Sequence, residues 1–172
     1  MGEVYPFTPV KLFMGVLVAN KEGLTHLLSL LEEHYGEIEE SSEPVEFSFS
    51  DYYDSEMGGR PWRLFLIFKE EIDPERLASI KLHTNTLEEY FKVEGRRVVN
   101  LDPGIMGSAS LILATTKNRS HRIPLQQGIY AEMTLHYSNK HYNSFPWTYP
   151  DYKSEEVQAF FLKARRSFLK QS

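Results

Sequence analysis

Side chains that could bind or transform a ligand are concentrated between Arg96 and Asp151. Carboxylates, cations, imidazoles and hydroxyls lie there at or beside the ends of predicted strands. The candidate catalytic residues are Asp102, His121 and Glu132, because a carboxylate beside an imidazole can fix its tautomer and favour proton transfer or metal binding. A folded sheet that brings these groups to one wall would create a polar pocket.

The same stretch is rich in groups that bind anions. Arginine forks and threonine hydroxyls suit phosphate and carboxylate groups. We therefore predict a polar pocket for a small anionic ligand, phosphorylated or nucleotide-like, and leave open whether the protein is an enzyme. The sequence contains no Walker loop and no GxGxxG motif, so it assigns no cofactor. The candidate ligand-binding residues are Asn85, Arg97, Asn100, Thr115, Thr116, Lys117, Arg122, Tyr130 and Thr134.

Two other functions fit the same residues. A metal-dependent hydrolase would use Asp102, His121 and Glu132, with His136 as a further ligand, although no tight metal-ligand spacing is present. A non-catalytic RNA- or protein-binding module would fit the predicted fold by analogy alone. Ordinary surface ion pairs, and a structural pair between His121 and Glu132, would explain the pattern without any site.

The position of His121 depends on the turn that follows it. A two-residue connection at Gln126-Gln127 or Gln127-Gly128 would put His121 on the same face as Glu132 and would point Arg122 the other way. A three-residue turn would reverse this arrangement. We favour the two-residue connection.

Length and composition exclude several classes of protein. A chain of 172 residues with 41% hydrophobic and 25% charged residues fits one folded domain rather than a disordered protein. The formal net charge of -5 argues against nucleic acid or a membrane surface as a partner, but it is compatible with a local basic pocket. The absence of cysteine excludes disulfides and thiolate chemistry. The apolar run from Leu12 to Ala19 is too short to span a bilayer, so we expect a cytoplasmic protein.

Hydrophobic spacing predicts the elements that would position these residues. Residues 10–18 and 63–68 predict strands that are buried on both faces, because nearly every position is apolar. Residues 45–49 and 97–102 predict two further strands, whereas the acidic residues 37–43 predict a loop or an exposed edge. Leucines from residue 24 and an apolar stripe after Asp73-Pro74 predict two helices.

The order strand, helix, strand, strand, helix, strand is that of a ferredoxin-like (βαββαβ) antiparallel sheet. Residues 103–172 extend it as a β-meander, with strands at 108–116, 120–125 and 128–137, and as a final helix from Ser154. We therefore predict an α+β protein with a single domain over residues 1–172, of which residues 10–102 form the ferredoxin-like core.

Several motifs together resemble those of one bacterial family. They are Asn100-Leu101-Asp102-Pro103-Gly104, Ala114-Thr115-Thr116-Lys117, His121-Arg122, Gly128-Ile129-Tyr130-Ala131-Glu132 and Pro146-Trp147-Thr148-Tyr149-Pro150-Asp151-Tyr152. The chain resembles, over nearly its whole length, the uncharacterised domain-of-unknown-function family numbered four-four-one-six. The resemblance implies no activity, cofactor or site residue.

Overall fold

The computed structural model describes residues 2–171 as an α+β fold with one large antiparallel sheet. Nine strands form the sheet over these residues. The strands are β1 (Val10–Val18), β2 (Ile38–Ser41), β3 (Val45–Glu46), β4 (Trp62–Ile72), β5 (Val99–Met106), β6 (Ser110–Thr115), β7 (Ile123–Pro124), β8 (Tyr130–Ser138) and β9 (His141–Ser144). The helices are α1 (Leu24–Tyr35), α2 (Asp54–Met57), α3 (Leu77–Tyr90) and α4 (Glu155–Gln171).

The sheet has the strand order β2-β4-β1-β5-β6-β8-β7, and β3 and β9 pair with β4 and β8 respectively. Strand β1 lies between β4 and β5, with Gly15 opposite Phe65 of β4 on one side and Asp102 of β5 on the other. Residues opposite each other share a face, so this register places Asp102 and Phe65 on the same side of the sheet.

Both faces of the central strands are covered. On one face, Leu12 and Met14 of β1 pack with Leu27 of α1 and Leu77 of α3. On the other face, Phe13 of β1 packs edge-on against the α4 residue Phe161, with 5.1 Å between the ring centroids. The prediction that residues 10–18 are buried on both faces is confirmed, and the final helix provides the second cover.

Strands β5 and β6 pair over only part of their length, and this leaves a gap in the sheet. The pairing covers Gly104 to Met106 of β5, whereas β5 begins at Val99 and β6 continues to Thr115. Pro103 lies at the point where the pairing stops. Proline has no backbone N–H to donate, so a ladder cannot continue normally through that position.

Residues 38–41 of the acidic segment pair with β4 and form the edge strand β2, which is the exposed-edge alternative of the prediction. The structure corrects two other details of the predicted elements. Strand β9 was not predicted. The turn after β7 has three residues, since Leu125 N–H donates to the Ile129 carbonyl and Ile123 lies opposite Ala131, so the favoured two-residue register was wrong.

Within residues 2–171, the helices lack the length and apolar character that a bilayer-spanning segment requires.

Candidate functional site

A cavity of about 640 Å³ lies at the gap between β5 and β6. Its volume is within the range of small-molecule sites. Its walls are built by strands β1, β4, β5, β6 and β8, by helix α3, and by the segments at residues 47–56, 116–122 and 149–152. The polar lining residues are Ser50, Tyr52, Tyr53, Glu56, Arg63, Lys81, Asn85, Glu88, Arg97, Asn100, Asp102, Thr115, Thr116, Lys117, Arg122, Glu132, Tyr149, Asp151 and Tyr152.

Helix α3 lies at the gap, and two of its side chains hydrogen-bond to backbone groups of β5 that have no partner in β6. The Lys81 ammonium donates to the carbonyl oxygen of Leu101 at 2.8 Å. The Leu101 N–H donates to Oε1 of Glu88, also at 2.8 Å. An uninterrupted ladder would put Thr116 opposite Leu101, so two charged side chains occupy the place of the missing strand partner.

The floor of the cavity is a buried ion-pair network centred on Arg63. Its guanidinium lies 3.0 Å from the Asp151 carboxylate and 3.4 Å from Asp102. Asp102 also accepts a hydrogen bond of 2.8 Å from the Asn100 amide. Burial disfavours the charge of Arg63, but the Asp151 and Asp102 carboxylates outweigh it and raise the Arg63 pKa. The guanidinium therefore stays charged, and the network holds the side chains of this floor in place.

A second bridge joins the short helix α2 to α3. The Arg97 guanidinium donates to Glu88 at 3.1 Å and to Glu56 at 2.9 Å. Burial raises the pKa of Glu88, although Lys81, the Leu101 N–H and Arg97 act in the opposite direction. Glu88 is thus a partly desolvated carboxylate that accepts hydrogen bonds from Arg97 and from the Leu101 N–H, with the Lys81 ammonium 3.9 Å away.

Glu132 occupies the β8 side of the cavity and is 1% exposed. Its Oε2 atom lies 2.8 Å from His121 Nε2 and accepts a hydrogen bond of 2.7 Å from Arg122 Nε. The His121 ring stacks on Trp147, with 4.7 Å between the ring centroids and a 10° angle between their planes. Oε1 of Glu132 is buried and has no hydrogen-bond partner among residues 2–171.

The rim of the cavity combines an exposed cation with exposed aromatic rings. Lys117 Nζ lies 5.1 Å from the centroid of the Tyr52 ring. Tyr52 is 60% exposed and Phe49 is 44% exposed. These rings and the ammonium group offer a ligand both apolar and charged contacts at the cavity mouth.

Residues 8–168 match the sequence pattern of a family described as Domain of unknown function (DUF4416). The chain belongs to this family. Neither a curated protein nor a solved structure matches the chain. The resemblance predicted from the motifs is therefore confirmed, and membership of DUF4416 brings no activity with it.

In this DUF4416 chain, most of the predicted site residues lie on the cavity wall. Two of the three candidate catalytic residues and seven of the nine candidate ligand-binding residues line it: Asp102, Glu132, Asn85, Arg97, Asn100, Thr115, Thr116, Lys117 and Arg122.

Three predicted residues do not line the cavity. His121 does not line the cavity, but its Nε2 atom contacts the carboxylate of Glu132, which does. Thr134 is fully buried, and its hydroxyl donates to the backbone carbonyl of Glu132. Tyr130 lies opposite Thr115 and Pro124 in the sheet.

The hairpin register puts Arg122, rather than His121, opposite Glu132 by continuation of the β7–β8 pairing. His121 reaches the same carboxylate because it lies in the turn before β7, where strand alternation does not apply. The contact was predicted, but the structural reason for it was not.

The metal-ligand set considered from the sequence does not come together. His136 is exposed on β8, opposite Ser110 and Asn143. Over residues 2–171, no group of three His, Cys, Asp or Glu side chains has the arrangement that could hold a metal ion.

Ten polar residues of the wall were not among the predicted site residues: Ser50, Tyr52, Tyr53, Glu56, Arg63, Lys81, Glu88, Tyr149, Asp151 and Tyr152. The sequence contains signals for some of them. Lys81, Asn85 and Glu88 lie on one helical stripe next to the apolar stripe of α3, which is compatible with lining one cleft, but a solvated, internally paired stripe was the favoured interpretation. Arg63 is a charged residue in a strand that is otherwise apolar on both faces, and buried charges need partners.

Proposed function

We propose that the protein binds a small anionic organic molecule in this cavity, with the anionic group at Lys117. The observation that carries the proposal is the state of the cations in the wall. Arg63, Lys81, Arg97 and Arg122 each have a carboxylate within ion-pair distance, whereas Lys117 has none among residues 2–171.

An ammonium group without a carboxylate is free to bind an anion. Thr116 lies next to Lys117 on the rim, and its hydroxyl can donate to a phosphate or carboxylate oxygen. The other cations are held by internal pairs, so they shape the cavity and do not add a strong net positive charge. Indeed five cations and five carboxylates line it, which favours a ligand with one anionic group and several neutral polar groups.

The aromatic residues of the rim indicate a second feature of the ligand. Tyr52 and Phe49 present exposed rings beside Lys117. A ligand with an apolar or planar part can cover these rings while its anionic group contacts the lysine. A nucleotide has both features, and a sugar phosphate can cover a ring with the C–H face of its sugar.

The two other functions considered from the sequence have no comparable support. The hydrolase would need a metal-ligand set, and residues 2–171 do not provide one. The RNA-binding module would need an open sheet face with stacking aromatics. Here α1 and α3 cover one face of the central strands and α4 packs on the other.

A thermal-shift screen with inorganic phosphate, nucleotides and phosphorylated metabolites tests the proposal. A ligand that binds only the folded state raises the melting temperature when present in large excess over its Kd. We expect at least one of these anions to stabilise the protein. If none does at millimolar excess, the proposal is wrong.

Two single-residue variants test the location of the anion site. Lys117→Ala should weaken binding of the stabilising anion by about tenfold or more, since a charge-assisted hydrogen bond is lost. Arg119→Ala is the matched control, because Arg119 is an exposed cation two residues away that does not line the cavity. Equal losses in both variants would indicate a diffuse charge effect and would contradict a site at Lys117.

We further infer that residues 10–106 form a ferredoxin-like unit within the larger sheet. The strand order β2-β4-β1-β5 supports this, as do the antiparallel pairings along it. Helices α1 and α3 pack on the same face, as the βαββαβ arrangement requires.

A further inference from the structure

We propose that the ligand is a hydroxylated anion of the polyol phosphate or sugar phosphate class, and that Glu132 and Tyr152 recognise its hydroxyl groups. This inference rests on the proposed function, because it specifies the chemistry of the molecule that the cavity binds. Two polar atoms of residues that line the cavity carry it. Oε1 of Glu132 and the hydroxyl oxygen of Tyr152 are both buried, and neither has a hydrogen-bond partner within residues 2–171.

Glu132 offers one free acceptor in a fixed position. Its Oε2 atom is occupied by His121 and Arg122, so the carboxylate cannot rotate to give Oε1 another partner without breaking those contacts. A buried carboxylate oxygen without a hydrogen bond is costly. A ligand group that donates a hydrogen bond to Oε1 would remove that cost.

Tyr152 offers one free donor. The residue is 1% exposed, and its ring lies between Phe65 and Phe161. Burial raises the Tyr152 pKa well above its usual value, so the phenol keeps its proton and can donate. A ligand oxygen that accepts from this hydroxyl would satisfy it.

The two unpaired atoms favour a ligand with hydroxyl groups over a ligand with an ammonium group. A hydroxyl group can donate to Glu132 and can also accept from Tyr152. An ammonium group has only donors, so it could serve Glu132 but not Tyr152. A ligand with several hydroxyl groups can satisfy both atoms.

Arg122 links the backbone of Lys117 to Glu132. Arg122 donates to the backbone carbonyl of Lys117 at 2.7 Å through one nitrogen and to Glu132 at 2.7 Å through another. A single guanidinium therefore joins the backbone of Lys117 to the Glu132 carboxylate, so the residue proposed to bind the anion and the residue proposed to bind a hydroxyl group belong to neighbouring parts of one wall. We expect a compact phosphorylated molecule to reach both.

Isothermal titration with three probes of similar length tests the inference: propyl phosphate, glycerol 1-phosphate and 3-aminopropyl phosphate. Glycerol 1-phosphate should bind about tenfold more tightly than propyl phosphate, because it alone pairs the two buried atoms through hydroxyl groups. It should also bind more tightly than the amine.

Three variants assign the preference to residues. Tyr152→Phe and Glu132→Gln should each reduce the ratio between the affinities for glycerol 1-phosphate and propyl phosphate. Tyr142→Phe is the matched control, because the Tyr142 hydroxyl is also buried and unpaired within the described chain but does not line the cavity. It should leave the ratio unchanged. Tyr152→Phe removes one oxygen without a change of shape, so it reports on binding even if Glu132→Gln does not fold.

The outcomes separate the two proposals. Equal binding of propyl phosphate and glycerol 1-phosphate overturns the hydroxyl assignment while the anion site stands. Tighter binding of 3-aminopropyl phosphate also overturns it, in favour of an amine. If no probe binds while another anion stabilises the protein, the polyol class is wrong. If no anion binds at all, the proposed function fails, and this inference fails with it.

Discussion

The Lys81 ammonium hydrogen-bonds to the Leu101 carbonyl at 2.8 Å, where a neighbouring strand would otherwise pair. Glu88 accepts a hydrogen bond from the backbone N–H of the same residue, Leu101. Two side chains of one helix thus satisfy both polar groups of a strand residue and let β6 diverge from β5. The cavity lies in the space that this divergence creates.

Lys81→Met should therefore destabilise the protein. Methionine keeps the length of the side chain but leaves the Leu101 carbonyl without its donor and removes the cation near Glu88 and Asp102. We expect a loss of about 2–4 kcal/mol in the free energy of unfolding, from one unsatisfied carbonyl plus weakened ion pairs. Urea denaturation, monitored by circular dichroism, measures this change in the free energy of unfolding.

Lys69→Met is the control for this variant. Lys69 is another strand-side lysine with a carboxylate partner, Glu37 at 2.6 Å, but both side chains are more than half exposed. Exposed pairs contribute little, so the loss should stay below about 1 kcal/mol. Similar losses in the two variants would mean that the Leu101 contact has no special importance.

The raised pKa of Glu88 predicts a pH dependence of stability. Burial is the main cause, and it favours the protonated form in the folded state. A folded-state pKa above the unfolded one adds stability that is fully present below the unfolded value, near 4.5, and that is lost as pH rises through the folded value. The wild-type protein should therefore lose stability relative to Glu88→Gln as pH increases from 4.5.

Denaturant titrations of both proteins at several pH values measure this difference. Glu89→Gln, one residue along on the exposed side of α3, provides the comparison for the loss of one carboxylate. A difference between the wild type and Glu88→Gln that does not change with pH would contradict the burial argument.

The predictable part of this molecule is the part set by local spacing. The strand over residues 10–18 and the stripes of α1, α3 and α4 follow from hydrophobic periodicity, which depends on neighbours in the chain. The turn after β7 does not. It holds Gln127 at a φ of 53° before Gly128, and a positive φ is uncommon for a residue other than glycine. The sequence analysis favoured a two-residue turn, so the predicted register was wrong.

The site was predicted only from the residues that carry obvious chemistry. Thr115 on β6 and Glu132 on β8 belong to paired strands, and Lys117 follows β6 directly, so their place on one wall follows from strand order. Lys81 and Leu101 are 20 residues apart, and their contact depends on the divergence of β6, which no local pattern encodes. Residues whose side chains replace a missing strand partner are for that reason difficult to predict from sequence.

Two glycines of the central strands should differ sharply in their tolerance of alanine. A Cβ atom on Gly104 would lie 2.3 Å from the Phe13 ring and 2.6 Å from the backbone oxygen of Ile112. A Cβ atom on Gly15 would lie 3.0 Å from the end of the Arg63 side chain. Gly104→Ala should cost about 3 kcal/mol or more, because backbone must move.

Gly15→Ala should cost less, about 1–2 kcal/mol, because the guanidinium can shift at the expense of its contact with Asp151. Gly107→Ala is the control, since its nearest neighbours would lie at 3.8 Å and 3.9 Å. Thermal or urea unfolding measures the order of stability of the three variants. A Gly15→Ala variant as unstable as Gly104→Ala would show that Arg63 cannot move.

The buried hydroxyls of Tyr142 and Tyr152 predict an unusual effect of phenylalanine. Neither hydroxyl has a hydrogen-bond partner within residues 2–171, so its removal eliminates a desolvated polar group and breaks no contact. We expect Tyr142→Phe and Tyr152→Phe to leave the free energy of unfolding unchanged or to raise it by up to about 1 kcal/mol. Urea denaturation without ligand measures this. A loss of more than about 1 kcal/mol in Tyr152→Phe would reveal a partner for its hydroxyl and remove the basis for a ligand contact there.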